Sequence, residues 1–188
     1  MLDQPEIRER IHPISVATYH ALGEMGLVDE KVELLRGYLV DKMSKSPLHS
    51  SLVRRLFRLL QEHVRAAGFE LFKEDPLTFS DSEPEPDLAV VKPSTDDHLS
   101  GHPTHAELVV EVSISTVAVD REKTAIYAEA GIPRFWLVCP NTREIEVFSK
   151  PEGDRYLSRE IVRADDRLSS DLFPDLNLQV GELFEERS

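Results

Sequence analysis

One stretch of the chain repeats apolar residues at helical spacing: Leu52, Val53, Leu56, Leu59, Leu60, His63 and Val64 share one face of a 3.6-residue period. The pattern predicts a helix from about Pro47 to Ala67, with Pro47 suited to the first turn and Gly68 to the stop. A shorter helix is predicted from Ser15, as N-cap, to about Gly23. Between them, Val32 to Val40 reads as a tight hairpin turning at Arg36-Gly37. Past Gly68 the period changes. Leu88–Val91 and Leu108–Val112 are continuous apolar runs, as for strands buried on both faces, and Arg134 to Val138 is a third. Phe69–Phe72 and Leu77–Phe79 are shorter strand candidates. A second helix, from about Asp120 to Ala130 and stopped by Gly131 and Pro133, joins run 108–112 to run 134–138, and such a crossover predicts that those two strands are parallel. Glu144–Phe148 and Arg155–Val162 alternate and predict a peripheral hairpin. The tail, Asp175–Glu186, offers a short strand or turn and one helical turn.

Helix, hairpin, long helix, strands, helix, strands is the order of an α/β fold with a mixed sheet. At 188 residues, without internal repeat or long linker, the chain is expected to form one domain over 1–188, with residues 1–12 loose. Hydrophobic residues at 40% and charged residues at 30% match a soluble globular protein. No apolar run approaches the ~20 residues that span a bilayer, so no membrane partner is expected. The acidic start, Met1 to Glu6, does not read as a secretory signal. A lone cysteine, Cys139, leaves no internal disulfide and fits a reducing compartment, so a cytoplasmic location is expected. The net charge of −13 counts against a general nucleic-acid binder, yet it is uneven: residues 1–68 carry a net +1 and residues 69–188 a net −14.

Two acids stand at strand ends. Asp87 closes Glu83-Pro84-Glu85-Pro86-Asp87 and opens run 88–91, while Glu111 ends Leu108-Val109-Val110 and continues into Val112. Carboxylates on adjacent strands can hold a divalent ion between them, with water and a substrate phosphate completing the shell. Alternation puts Ser113 on the face of Glu111, and Glu85 on that of Asp87. Many metal nucleases carry a lysine two residues after the second acid, where this chain has Ser113. Lys123, at the start of the predicted helix 120–130, is the nearest substitute, and Tyr127 shares its face four residues on. The plain alternative pairs Lys123 with Asp120 or Glu122 in solvent. His98, His102 and His105 lie in a polar loop at spacings that match no structural zinc site. Arg54, Arg55, Arg58 and Arg65 form either a phosphate-facing stripe or a solvated helix face. His63 and Trp136 read as core. Cys139 has no basic neighbour to activate it. No Gly-rich nucleotide loop and no Gly-x-Ser-x-Gly elbow occur, so no organic cofactor is expected.

Taken together, these segments resemble the Uma2 family (DUF820) of restriction-endonuclease-like proteins. The matching text is Val32-Glu33-Leu34-Leu35-Arg36-Gly37; Met43 to His49 with the helix that follows; Glu85-Pro86-Asp87 with Leu88–Val91; Glu111 to Thr116 with Asp120-Arg121-Glu122-Lys123; and Tyr127 to Pro133 with Trp136-Leu137-Val138. The resemblance implies a PD-(D/E)xK nuclease fold, a mixed β-sheet core flanked by helices over about residues 30–150, with an N-terminal helix and hairpin and a C-terminal β-hairpin as additions. It implies metal-dependent hydrolysis of phosphodiester bonds, for which Mg2+ or Mn2+ is the expected ion and nucleic acid, DNA before RNA, the expected partner. By position, Asp87 and Glu111 would hold the metal, Lys123 would be the catalytic cation moved to the following helix, and Glu33 an accessory acid. His49, Ser113, Tyr127 and Glu85 would be neighbours of the metal or contacts of the substrate. Two departures accompany the match: the spacing from Glu111 to Lys123 is one residue shorter than is common in the family, and Cys139 stands where the family carries an acid. A homodimer is expected from the apolar helix face and the C-terminal hairpin. The competing class is a non-catalytic interaction module that keeps the nuclease fold; a metal-dependent hydrolase of small phosphate esters is a third.

Overall fold

In a computed structural model of the chain, residues 10–29, 31–42, 45–114 and 117–185 are described, the side chains of 117–119 excepted. Most of the segment expected to be loose, residues 1–9, lies outside them, as do Met43, Ser44, Ser115 and Thr116 of the matching text.

Helix α1 (Val16–Glu24) starts at Ser15, whose hydroxyl accepts from the Thr18 N–H at 3.1 Å. Strands β1 (Val32–Leu35) and β2 (Tyr38–Asp41) form a separate two-stranded sheet. Leu35 pairs with Tyr38 across the two-residue turn Arg36-Gly37, and both turn residues have positive φ, 51° and 76°, as a primed hairpin turn requires. Helix α2 (Pro47–Ala66) is capped by the Ser46 hydroxyl and buries Leu52, Val53, Leu56, Leu60 and Val64 of the predicted face, with Leu59 and His63 half-buried. Gly68, at φ 79°, turns the chain out of it.

The main sheet has six strands in the order β3 (Glu70–Phe72), β4 (Leu88–Val91), β5 (Leu108–Val112), β6 (Arg134–Cys139), β7 (Glu144–Glu152) and β8 (Arg155–Arg163). Every neighbouring pair is antiparallel except β5 and β6, which are parallel. Helix α3 (Val117–Glu129) makes that crossover. Alternation divides the sheet into two faces. Leu88, Val90, Leu108, Val110, Val112, Trp136, Val138 and Ile145 pack with α2 and the C-terminal segment. Ala89, Val91, Val109, Phe135 and Leu137 pack with Tyr127 of α3, Ile132 and Leu77. The C-terminal segment adds a small pair, β9 (Arg167–Leu168) and β10 (Leu178–Gln179), and a last turn, α4 (Val180–Leu183).

Three local expectations change. Leu77–Phe79 forms no strand; it closes a loop instead, with Leu77 N–H donating to Pro84 O and Phe79 N–H to Ser82 O, beside prolines that have no N–H to offer a ladder. The hairpin at 144–163 is longer than predicted and is continuous with the main sheet through β6. Helix α3 begins at Val117, three residues before the predicted start, which moves Lys123 from the first turn to the second. Among the described residues no helix is long and apolar enough to cross a membrane.

Candidate active site

The β4–β5 register pairs Leu88 with Val110, and one step further it sets Asp87 opposite Glu111. Asp87, Ala89 and Val91 alternate onto the α3 face of the sheet, as do Val109 and Glu111. The two acids therefore meet beneath α3. Asp87 Oδ2 accepts from the Val112 N–H at 2.8 Å, and Glu111 Oε2 accepts from the Asp87 N–H at 3.3 Å. Both residues are 5% exposed.

Lys123 comes down onto this pair from the second turn of α3. Its ammonium lies 3.0 Å from Glu33 Oε1 and 3.3 Å from Glu111 Oε1, and the residue is 6% exposed. That excludes solvent pairing. The shorter spacing noted in the sequence does not keep it from Glu111, because the early helix start carries it back over the sheet. Tyr127, one turn on, donates its hydroxyl to the same Glu111 Oε1 at 2.8 Å. Glu33 arrives from β1, and its Oε2 accepts from the Glu85 N–H at 3.2 Å. His49, in the first turn of α2, places Nε2 3.0 Å from Asp87 Oδ2. Ser113 is buried just past the end of β5, with no hydrogen-bond partner for its hydroxyl among the described residues.

Glu85 does not face the two metal-ligand candidates; its carboxylate pairs with Lys42. It belongs to a ladder that the sequence only half shows. The acids of Glu83-Pro84-Glu85-Pro86-Asp87 each take a basic partner from a different N-terminal element: His20 of α1, whose Nε2 is 2.8 Å from Glu83, then Lys42 after β2, then His49 of α2. Glu83 also accepts from Thr78 Oγ1 at 2.6 Å. Nothing local in the sequence ties His20 or Lys42 to acids tens of residues away, whereas Asp120, expected only as a solvent partner of Lys123, is buried. The alternation of acids with prolines was the available signal.

The cluster is short of positive charge. Burial, then Asp87, Asp120 and Glu33, push the Glu111 carboxyl from 4.5 up to about 7, although Lys123 opposes them. Burial pulls the Lys123 ammonium down, but Glu111 and Glu33 outweigh it and hold its pKa raised. His49 is raised, first by its hydrogen bond to Asp87, and Tyr127 is raised well above its usual value, first by burial. Among the described residues no three His, Cys, Asp or Glu side chains form a metal-holding group. The donors present are two hard carboxylates with surplus negative charge around them. That suits Mg2+ or Mn2+, which take one or two protein carboxylates and fill the rest of their shell with water and phosphate.

The remaining candidates fall outside this cluster. His98 packs its ring edge-on against Phe72 at 5.3 Å, in a loop whose Asp96 accepts from Ser94, His98 and Ser100. Arg54, Arg58 and Arg65 are exposed, while Arg55 donates to the carbonyls of Leu183 and Glu185 and fastens the C-terminal segment to α2. His63 leans on Phe173.

A mixed sheet with paired acids at the ends of adjacent strands, and helices on both faces, is a restriction-endonuclease-like α/β fold. The chain belongs to the Uma2 family, whose model, described as "Putative restriction endonuclease", matches residues 16–181. Its fold is shared with a crystal structure from Anabaena variabilis ATCC 29413, described as "a putative nuclease belonging to DUF820": the two are 18% identical, with a TM-score of 0.73 over 92% of this chain and 98% of the other. No curated protein matches the chain.

Proposed function

We propose that this chain is a metal-dependent endonuclease that hydrolyses phosphodiester bonds of nucleic acid, DNA in particular. The observation that carries the reading is the buried Lys123 ammonium between Glu33 and Glu111, on the face where Glu111 meets Asp87. Asp87 and Glu111 are the carboxylates to hold Mg2+ or Mn2+. The chemistry such an ion supplies when bound is Lewis-acid stabilisation of charge on a phosphate. Lys123 orients the attacking water and offsets the negative charge that develops on the phosphate. Tyr127 fixes Glu111, and His49 fixes Asp87, so that neither acid swings when its charge is engaged. Glu33 holds Lys123 in place from the opposite side.

The same reading takes the chain as one domain acting in the cytoplasm, in keeping with a single buried cysteine. It also includes a homodimer. The apolar face of α2 is taken up by the core, which leaves the C-terminal hairpin, with its exposed Leu157, and exposed residues such as Met25, Leu27, Tyr38 and Leu39 as apolar surface for association. Sedimentation equilibrium tests the dimer; a monomer at all loadings removes it.

Mn2+ titration of the wild type, Asp87→Ala and Glu111→Ala, with circular dichroism as the folding control, should show binding lost in both variants. Unchanged affinity in both sinks the reading. In parallel, nicking of single- and double-stranded DNA with Mn2+ should vanish in Lys123→Ala. A background signal in both wild type and variant favours a non-catalytic interaction module, which the net charge of −14 over residues 69–188 also suits.

A further inference from the structure

The β1–β2 hairpin is not part of the main sheet, yet it delivers Glu33 to Lys123. On one side it is fastened to the loop that leads into Asp87: Arg36 N–H donates to Ser82 Oγ at 2.8 Å, Gly37 N–H to Asp81 O at 2.7 Å, and Glu83 N–H to Leu34 O at 2.6 Å. On the other side, beside the Glu33–Lys123 contact itself, a second side chain ties the hairpin to α3. Arg36 reaches across to α3, placing Nη1 2.8 Å from Glu129 Oε2 and Nε 3.6 Å from Glu122 Oε1. Glu122 is the residue next to Lys123.

A second observation is conformational. Arg36 occupies the first central position of the turn at φ 51°, where Asn, Asp or Gly is the comfortable choice and a long side chain is strained. An exposed ion pair adds little stability to set against that strain. A residue kept in a disfavoured conformation at a functional site points to a role beyond folding. We propose that Arg36 is a positioning residue: its guanidinium braces the hairpin against α3 and so sets the Glu33–Lys123 contact. This rests on the nuclease reading above for its effect on turnover, though not for its effect on Lys123.

The test separates activity from stability. Arg36→Asn suits the turn but loses the brace, so its Tm should hold or rise while kcat for an oligonucleotide falls about tenfold with KM unchanged, the scale of losing a group that orients a site residue. Arg36→Lys should recover part of the loss. The pair Glu122→Gln with Glu129→Gln should give the same fall and add little to Arg36→Asn. A second readout is the ammonium resonance of Lys123 in 15N-lysine-labelled, metal-free protein, which should shift or exchange faster in Arg36→Asn. An unmoved resonance overturns the proposal, whatever happens to kcat, and so does an unchanged kcat in an active enzyme. If the wild type fails to cleave, the nuclease reading falls and the resonance alone decides: movement supports the brace, and none overturns it.

Discussion

Glu111 is the residue where burial and charge compete most openly, and its titration should be visible in the stability of the metal-free protein. Its carboxyl is raised from 4.5 to about 7, chiefly by burial. An acid with a raised folded pKa binds more protons folded than unfolded between the two values. Stability is therefore favoured on the acid side, falls as pH rises from about 4.5 to about 7, and is level above that. The expected loss is on the order of 1–3 kcal/mol. His49, also raised, contributes stability below its unfolded value that is lost as pH climbs through its folded one, so the sign is the same and a variant must separate the two. Urea unfolding in EDTA across this window should show the decline in the wild type and a flatter profile in Glu111→Gln. Equal slopes would reject the assignment. Cys139 gives a second check: burial, then Glu146, push its thiol up to about 11, so a disulfide reagent at pH 8 should label it only as the protein unfolds. At this scale the sequence named Asp87, Glu111 and Lys123 from strand ends and helix spacing. It could not bring Glu33 to them, because 78 residues separate Glu33 from Glu111 and only the family resemblance spoke for it.

Elements were legible where their signal is local. The five buried apolar positions of α2 recur at helical spacing whatever the rest of the chain does, and the burial of Leu56 there is complete; Leu56→Ala should cost about 2–5 kcal/mol in denaturant unfolding. The hairpin turn was legible from Gly37 for the same reason. Gly37 sits at φ 76°, and a Cβ built on it would lie 2.3 Å from Pro13 Cβ. Gly37→Ala thus meets both a left-handed penalty of about 1–2 kcal/mol and a clash with the segment entering α1, and a Tm clearly below wild type is expected. What misled at this scale was punctuation that tertiary context overrode. Asp120 looked like the start of a helix that begins at Val117. The alternation of 144–163 does mark a hairpin at the edge of the sheet, and only its length and its pairing with β6 go beyond the pattern. Leu77–Phe79 had strand composition, but its N–H groups are spent inside its own loop and on Pro103.

The whole molecule poses a conflict that neither residues nor elements resolve: a nuclease-like site in a chain of net charge −13. Two features temper it. Of the acids nearest the site, Glu85 is paired with Lys42 and both Glu33 and Glu111 with Lys123, so part of the local negative charge is answered within the fold. The exposed Arg54, Arg58 and Arg65 of α2 lie in the one third of the chain that is not acidic overall. The remainder of the surface should still repel a polyanion at long range. Screening shortens the reach of that repulsion, from about 30 Å at 0.01 M salt to about 10 Å at 0.1 M. For proteins that bind nucleic acid through a basic surface, added salt weakens association steeply. Here the opposite is expected over the low range: with Mn2+ saturating, kcat/KM on an oligonucleotide should rise as monovalent salt goes from about 0.01 to 0.1 M, then fall as local phosphate contacts are screened in turn. A steep monotonic fall from the lowest salt would instead mean that the arginine face of α2 governs the encounter.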